Sequence, residues 1–257
     1  MAITSSLQAN QRATERLAQP SADYAAHLRQ AQDLLQQAAA SHRPLKQASS
    51  LGAEDVVITH LINQLQLDVP IFVLDTGALH NETLALLERT QATSRAPIEV
   101  YRPQLAQVIH FVRTEGQDAI YRSMALRKAC CDIRKMAPLA LALQGQKAWI
   151  TGLRRAQSSA RAAVDLIDTS EQTSKGLTKF NPLANWTWGD VWHYIATQRV
   201  DYNPLHDDFF PSIGCAPCTR AISLGEDFRA GRWWWEDEAA KECGLHVTSE
   251  TKKEANA

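Results

Sequence analysis

The chain has 257 residues, enough for one large domain with a sizeable core. With 45% hydrophobic and 21% charged residues it has an ordinary globular balance, and a net charge of −1 argues against a broad nucleic-acid surface. The opening "MAITSSLQANQRATERLAQP" has no apolar segment and no later run is long enough to cross a bilayer, so a cytoplasmic protein without membrane or nucleic-acid partners is expected.

Residues 1–23 read as a disordered lead. Over 24–40, "YAAHLRQAQDLLQQAAA" places Tyr24, Leu28, Ala31, Leu35 and Ala38 on one helical face. "PLKQASSLGAEDVVITHLINQL" predicts a short strand, a turn at Ser49–Gly52, and a helix with Val57, Ile58, Leu61 and Leu65 inward. "PIFVLDTG" reads as a buried strand before the helix "ALHNETLALLERT". "APIEVYRP", "QKAWITG" and "AAVDLID" predict the third, fourth and fifth strands, and Trp188, Val191, Trp192 and Ile195 mark a helix over 187–198. From Pro204 the chain is loop-rich. Strands alternating with helices imply an α/β fold, a mostly parallel sheet covered on both faces. One domain is expected over 24–235, followed by a flexible C-terminal tail over 236–257.

In such folds ligands bind at the carboxyl ends of the strands, where "SSLGAED", "LDTG" and "ITGLRRAQSSAR" all fall. Ser49, Ser50, Gly52 and Glu54 stand at a strand-to-helix turn, whose backbone N–H groups suit an anion. The same letters also describe an ordinary N-cap, with Ser50 capping and Glu54 and Asp55 in the first turn. Asp75 and Thr76 suit a ribose or base edge, or simply an Asx turn closed by Gly77. Arg154, Arg155 and Arg161 are forks for an oxyanion, or surface residues near carboxylates. Arg229 and Arg232 would share a face if helical, and Trp233–Trp235 read as core or lid packing.

The five cysteines fall as Cys130–Cys131, Cys215 and Cys218 in "CAPC", and Cys243. An odd count in a chain this long is not a disulfide framework. Four clustered thiols are candidate ligands for zinc or for an iron–sulfur cluster. Adjacent cysteines fit paired zinc knuckles badly, whereas Arg127, Lys128, Arg134 and Lys135 can offset the charge of four thiolates. A cluster is therefore the stronger of the two. Cys243, in the polar "KECGLH" beside Lys241 and His246, is either a spare exposed thiol or a nucleophile.

The segments "SSLGAEDVV", "VLDTG", "CCDIRKMAPL", "AWITGLRRAQSSAR", "NPLANWTWGDVW", "YNPLHDDFFPSIGCAPCTR", "GEDFRAGRWWWE" and "KECGLH" occur in this order from Ser49 to His246. With them the chain resembles the assimilatory adenylyl-sulfate / phosphoadenylyl-sulfate reductases, of the adenine-nucleotide α-hydrolase-like folds. The resemblance implies a 4Fe–4S cluster on Cys130, Cys131, Cys215 and Cys218, and Cys243 as nucleophile on a mobile C-terminal segment. It implies a phosphate-binding loop at Ser49–Asp55 and adenosine contacts at Thr76 and Gly77. Lys135, Arg161, Arg229 and Arg232, joined by Arg154 or Arg155, would surround the phosphate–sulfate group. The expected reaction is thioredoxin-dependent reduction of adenylyl sulfate to sulfite and AMP through an S-sulfocysteine, in a monomer or a homo-oligomer. The alternatives are the same reaction on 3′-phosphoadenylyl sulfate and a non-enzymatic zinc-binding module. A pyrophosphatase-like enzyme of this fold would want an "SGG" loop. Two departures from the family pattern are Leu51, where an aromatic is usual, and His80-Asn81, where Phe-Pro is frequent.

Overall fold

The computed structural model describes residues 11–171, 176–223 and 225–236. Strands β1 (Leu45–Ser49), β2 (Ile71–Leu74), β3 (Ile98–Tyr101), β4 (Ala148–Ile150), β5 (Ile167–Asp168) and β6 (Thr178–Phe180) form one sheet. Their order is β3-β2-β1-β4-β6-β5, parallel throughout except for the edge strand β5. Alternation along the strands divides the core. Ile71, Val73 and Ile150 face helices α2 (Tyr24–Ser41), α3 (Ala53–Gln64) and α9 (Trp188–Gln198), while Phe72 and Trp149 face α8 (Ala137–Leu143). Both faces are covered, as the β-α alternation predicts. Among the described residues no helix is long and apolar enough to cross a membrane.

β1 is weak in sequence because its centre is polar. Gln47 is fully buried, and its amide donates to the Asp55 carbonyl (2.9 Å) while accepting from the Thr59 hydroxyl (3.0 Å). Those bonds satisfy a group that burial would otherwise penalise, and they pin β1 to the start of α3.

Three expectations need correction. "AAVDLID" supplies only the two-residue edge strand β5, and its neighbour β6 was not anticipated. β6 is three residues long and carries Lys179, buried between Asp168 (3.3 Å) and the Trp149 ring, so its apolar pattern is faint. Beyond α4 (Asn81–Thr93), the stretch 105–143, given no elements above, is helical: α5 (Leu105–Glu115), α6 (Ala119–Arg122), α7 (Met124–Cys131), a π-helical turn over Asp132–Met136, then α8. The chain also joins the fold before residue 24. Helix α1 (Ala13–Arg16) buries Ala13, whose N–H donates to Asp207 Oδ1 (2.7 Å), and Arg16 donates to the His206 and Asp207 carbonyls (3.1 Å each).

Candidate active site

A cleft opens at the carboxyl ends of β1, β2 and β4. Ser49, Ser50, Gly52, Glu54 and Asp55 form one wall, and Lys135 from the π-helical turn enters from beside the cysteines. Gly152, Gln157 and Arg161 follow β4, and His206, Arg229 and Arg232 close the far side. Nine candidate residues thus meet there: Ser49, Ser50, Gly52, Glu54, Lys135, Arg161, Cys215, Arg229 and Arg232. Thr76, Gly77 and Arg154 are not among the lining residues.

The turn between β1 and α3 is held by side chain–backbone bonds. Leu51 is buried at φ 60°, a left-handed conformation that costs an L-residue about 1 kcal/mol. Its N–H donates to Ser49 Oγ (3.2 Å), and both the N–H and the hydroxyl of Ser50 donate to Asp55 Oδ2 (2.7 Å each). The N-cap of α3 is Gly52, not Ser50, and no side chain caps it. The start of the helix therefore keeps its dipole facing the cleft without a capping oxygen in front. A Cβ on Gly152 would collide with Asp55 Oδ1, so only glycine lets β4 approach this turn.

Behind the turn lies a buried charge relay. Glu54 Oε1 accepts hydrogen bonds from Arg154 Nε (2.9 Å) and Gln157 Nε2 (2.9 Å), and Arg154 Nη2 completes the ion pair at 2.8 Å. Arg161 Nη1 in turn donates to Gln157 Oε1 (2.7 Å). Burial pushes the Glu54 carboxyl up, but Arg154 and the hydrogen bonds outweigh it and hold the group below its ordinary value. Asp55 has no cation: burial, with Glu54 adding to it, raises its carboxyl to about 6 against the Ser50 hydrogen bonds. Arg154 is thus a support for Glu54, and Arg155 turns away to the Val164 carbonyl (2.7 Å) and the Asn185 side chain.

Arg229 and Arg232 do not share a helix. They lie on a turn closed by the Arg232 N–H and the Arg229 carbonyl (2.8 Å), both side chains buried. Arg232 packs over the Trp233 ring (4.7 Å), and a Cβ on Gly214 would collide with its guanidinium. With Lys135 and Arg161 they place four cations around one cleft, an arrangement whose repulsion a bound anion relieves.

The cysteines sit against this cleft. Cys130 and Cys131 end α7, and Cys215 precedes and Cys218 ends a 3₁₀ turn over Ala216–Cys218. The turn is carried to the "LDTG" loop by a bridge between Leu79 and Cys215 and by the Ala216 N–H donating to the Ala78 carbonyl (2.8 Å). Thr76 is buried, with its hydroxyl 3.2 Å from Cys215 Sγ, and its carbonyl accepts from Arg134 (2.7 Å). Cys130, Cys215 and Trp235 pack on Ile120, Cys218 and Trp233. Arg127 lies over Trp233 (4.5 Å), forks onto Glu236 (3.0 and 2.6 Å) and interacts with the Cys131 thiol. None of the four is in a disulfide. Burial, then Cys215 and Cys131, push the Cys218 thiol up to about 12. Burial also raises Cys130, with Arg134 opposing and Cys215 adding. Among the described residues no group of three or more His, Cys, Asp or Glu could hold a metal ion. Cys243 lies outside the described residues, as does the rest of the predicted tail after Glu236.

Sequence reasoning missed Gln157 and His206 in the cleft, and Glu236 behind the cysteines. Gln157 had a usable cue, since it stands between two arginines already marked for the site. Glu236 follows three tryptophans and has none.

The residues 44–221 match the phosphoadenosine phosphosulfate reductase domain. The chain is 47% identical over 235 residues to adenosine 5′-phosphosulfate reductase of Burkholderia cepacia, covering 91% of this chain and 93% of that protein. It is 51% identical over 199 residues to the enzyme of the same name from Allochromatium vinosum, covering 77% of each. Among solved structures it superposes on phosphoadenylyl-sulfate reductase from Candida auris with TM-score 0.63 at 26% identity, over 75% of this chain and 90% of the other. Candida glabrata FMN adenylyltransferase, 12% identical with TM-score 0.55, shares the fold alone. A family match across most of the chain, and relatives at about half identity over most of their own length, establish that this chain belongs to the phosphoadenosine phosphosulfate reductase family.

Proposed function

We infer that the protein reduces adenylyl sulfate to sulfite and AMP in sulfate assimilation, with thioredoxin as reductant. The observation that carries this reading is the shared wall. A cleft with four cations and an uncapped helix start adjoins the packed Cys130, Cys215 and Cys218, with Cys131 near enough to act on Cys218, Cys215 lining the cleft and Lys135 four residues beyond Cys131. The substrate follows the names of the relatives at 47–51% identity rather than the more distant phosphoadenylyl-sulfate reductase at 26%.

In this reading the α3 turn receives the phosphate, and Lys135, Arg161, Arg229 and Arg232 neutralise the sulfate and the developing charge on the leaving phosphate. The Cys243 thiolate attacks the sulfate sulfur. The sulfur–oxygen bond to AMP breaks, AMP departs with that electron pair, and an S-sulfocysteine remains. A thioredoxin thiolate then attacks Cys243 Sγ and expels sulfite, and its second thiol resolves the mixed disulfide, so thioredoxin supplies both electrons. Cys130, Cys131, Cys215 and Cys218 would hold a 4Fe–4S cluster. The donor set fits it: burial and neighbouring thiols push the Cys130 and Cys218 thiols up, a cationic core would reverse that, and Arg127 and Arg134 address the sulfurs. When bound, the cluster would supply structure and local charge beside Lys135, because the thiols already account for both electrons.

The test is anaerobically purified full-length protein incubated with sulfur-labelled adenylyl sulfate in the absence of thioredoxin, with the 3′-phosphorylated substrate in parallel. Label should appear on wild type, be absent from Cys243→Ser and leave on adding thioredoxin. Stronger labelling from the 3′-phosphorylated compound would reassign the substrate. No label from either, in protein retaining iron, would remove the covalent mechanism.

A further inference from the structure

His206 is the cleft residue that neither the charge relay nor the basic set explains. It ends the 3₁₀ turn Pro204–His206, which is fixed from several sides. The Asn203 amide donates to Thr83 Oγ1 (2.8 Å), Asn203 Oδ1 accepts from the Leu205 N–H (3.1 Å), and Arg16 of α1 holds the His206 carbonyl (3.1 Å). The ring stands edge-on to Trp192 (5.2 Å) and Trp188 (6.0 Å) and is 4% exposed. Little in this arrangement lets it rotate.

Its tautomer follows from one contact. Nδ1 lies 2.7 Å from the Phe210 carbonyl oxygen, which can only accept, so Nδ1 carries the hydrogen. Burial lowers the imidazole to about 4, against the pull of Glu54 and Asp207, and the ring is neutral at physiological pH. Nε2 is then a lone pair. It is buried and has no hydrogen-bond partner among the described residues, in a residue that lines the cleft. Buried acceptors are almost always satisfied, and an exception at a binding cleft points to a ligand.

We propose that His206 contacts the nucleotide directly, its Nε2 accepting a hydrogen bond from a neutral donor of the bound adenosine, either a ribose hydroxyl or the adenine amine. The cations of the cleft serve the anionic end of the ligand, and His206 is the fixed neutral acceptor that reads the nucleoside end. The proposal rests on the cleft being the nucleotide site inferred above.

The test is calorimetric binding of AMP, its 2′-deoxy and 3′-deoxy forms and inosine monophosphate to the anaerobic full-length protein and to two variants. His206→Asn keeps an amide N–H for the Phe210 carbonyl and removes the Nε2 acceptor; His206→Gln carries an acceptor oxygen further out. Asn should weaken AMP about tenfold, the scale of one hydrogen bond, and Gln less. One of the three analogues, the one lacking the contacted donor, should bind wild type and Asn variant alike while the other two keep the gap. AMP affinity unchanged in the Asn variant, or the same loss for all four ligands, would overturn the role of His206 and leave the functional reading standing. Wild type that fails to bind AMP would overturn both.

Discussion

At the strand ends, the carboxylate of Glu54 is matched by Arg154 and Gln157 from the same chain, and Arg161 is held in place through Gln157. Beside the same cleft, four thiols gather with Arg127 and Arg134 next to them, and burial together with the neighbouring sulfurs drives Cys130 and Cys218 toward the protonated form. The first region is electrostatically complete as folded. The second is complete only if something cationic is added. The comparison teaches where each is vulnerable: the relay to loss of a partner inside the chain, the cysteine set to loss of the group it would bind.

Removing one thiol breaks the comparison most severely. Cys218 is the buried member of the set, and Cys218→Ser should abolish the iron and visible absorption of the purified protein and lower turnover by ~10³-fold or more. AMP binding should persist, because the relay does not depend on the thiols. Iron content, absorption and calorimetry measured on the same sample check this. Full iron retention would mean that the four cysteines do not act as a set.

Breaking the relay gives the next largest effect, on stability. Arg154→Met leaves Glu54 buried without its cation, which costs ~3–5 kcal/mol in denaturant unfolding. Restoring neutrality with Glu54→Gln in the same chain should recover part of that loss, since an unpaired charge is worse than no charge. If the single and double variants were equally unstable, packing rather than charge would be the cause.

Glu236→Gln is milder. It keeps the shape against Arg127 and removes only the charge of a buried fork, an expected loss of ~1–3 kcal/mol. Because Arg127 also touches Cys131, the iron of this variant should exchange faster with a chelator than that of wild type. An unchanged rate would confine Glu236 to the fold.

These regions also differ in how far they can be read from sequence. The cleft was legible because its strands end in short polar motifs at positions that parallel α/β topology assigns to ligands. "SSLGAED" and "GLRRAQSSAR" need only that rule to meet. Whether a marked residue faces the ligand or supports its neighbour was not legible: Arg154 and Arg155 are adjacent, yet one is wholly buried against Glu54 and the other turned to Val164. The helices over 105–143 escaped for a related reason. α5 does carry an apolar stripe at Leu105, Val108, Ile109 and Val112, but it buries none of its residues and α7 buries only Arg127, so neither helix presents the core-facing side by which the other helices were read. β6 hides its burial behind a lysine. His206 shows the limit, since its significance lies in one nitrogen left without a partner.

Asp55 supplies the smallest effect and sharpens the contrast from the other side, being the one carboxylate of the turn that no arginine matches. Its pKa is raised from 3.8 to about 6, chiefly by burial, while Ser50 partly offsets this. Between these values the folded protein binds more protons at this site than the unfolded chain, so the contribution of Asp55 to stability falls as pH rises through that interval. Below about 4 both states are protonated and above about 6 both are ionised, so the dependence vanishes at either end. Asp55→Asn removes the titration. Subtracting the unfolding free energy of the variant from that of wild type should therefore give a difference that declines between about pH 4 and about pH 6 and then levels off. Since the carboxylate is only half-buried, the decline should be about 1 kcal/mol or less after screening. A difference that grew with pH instead would mean that the Ser50 hydrogen bonds, not burial, govern this group, and that the turn is charge-satisfied like the relay behind it.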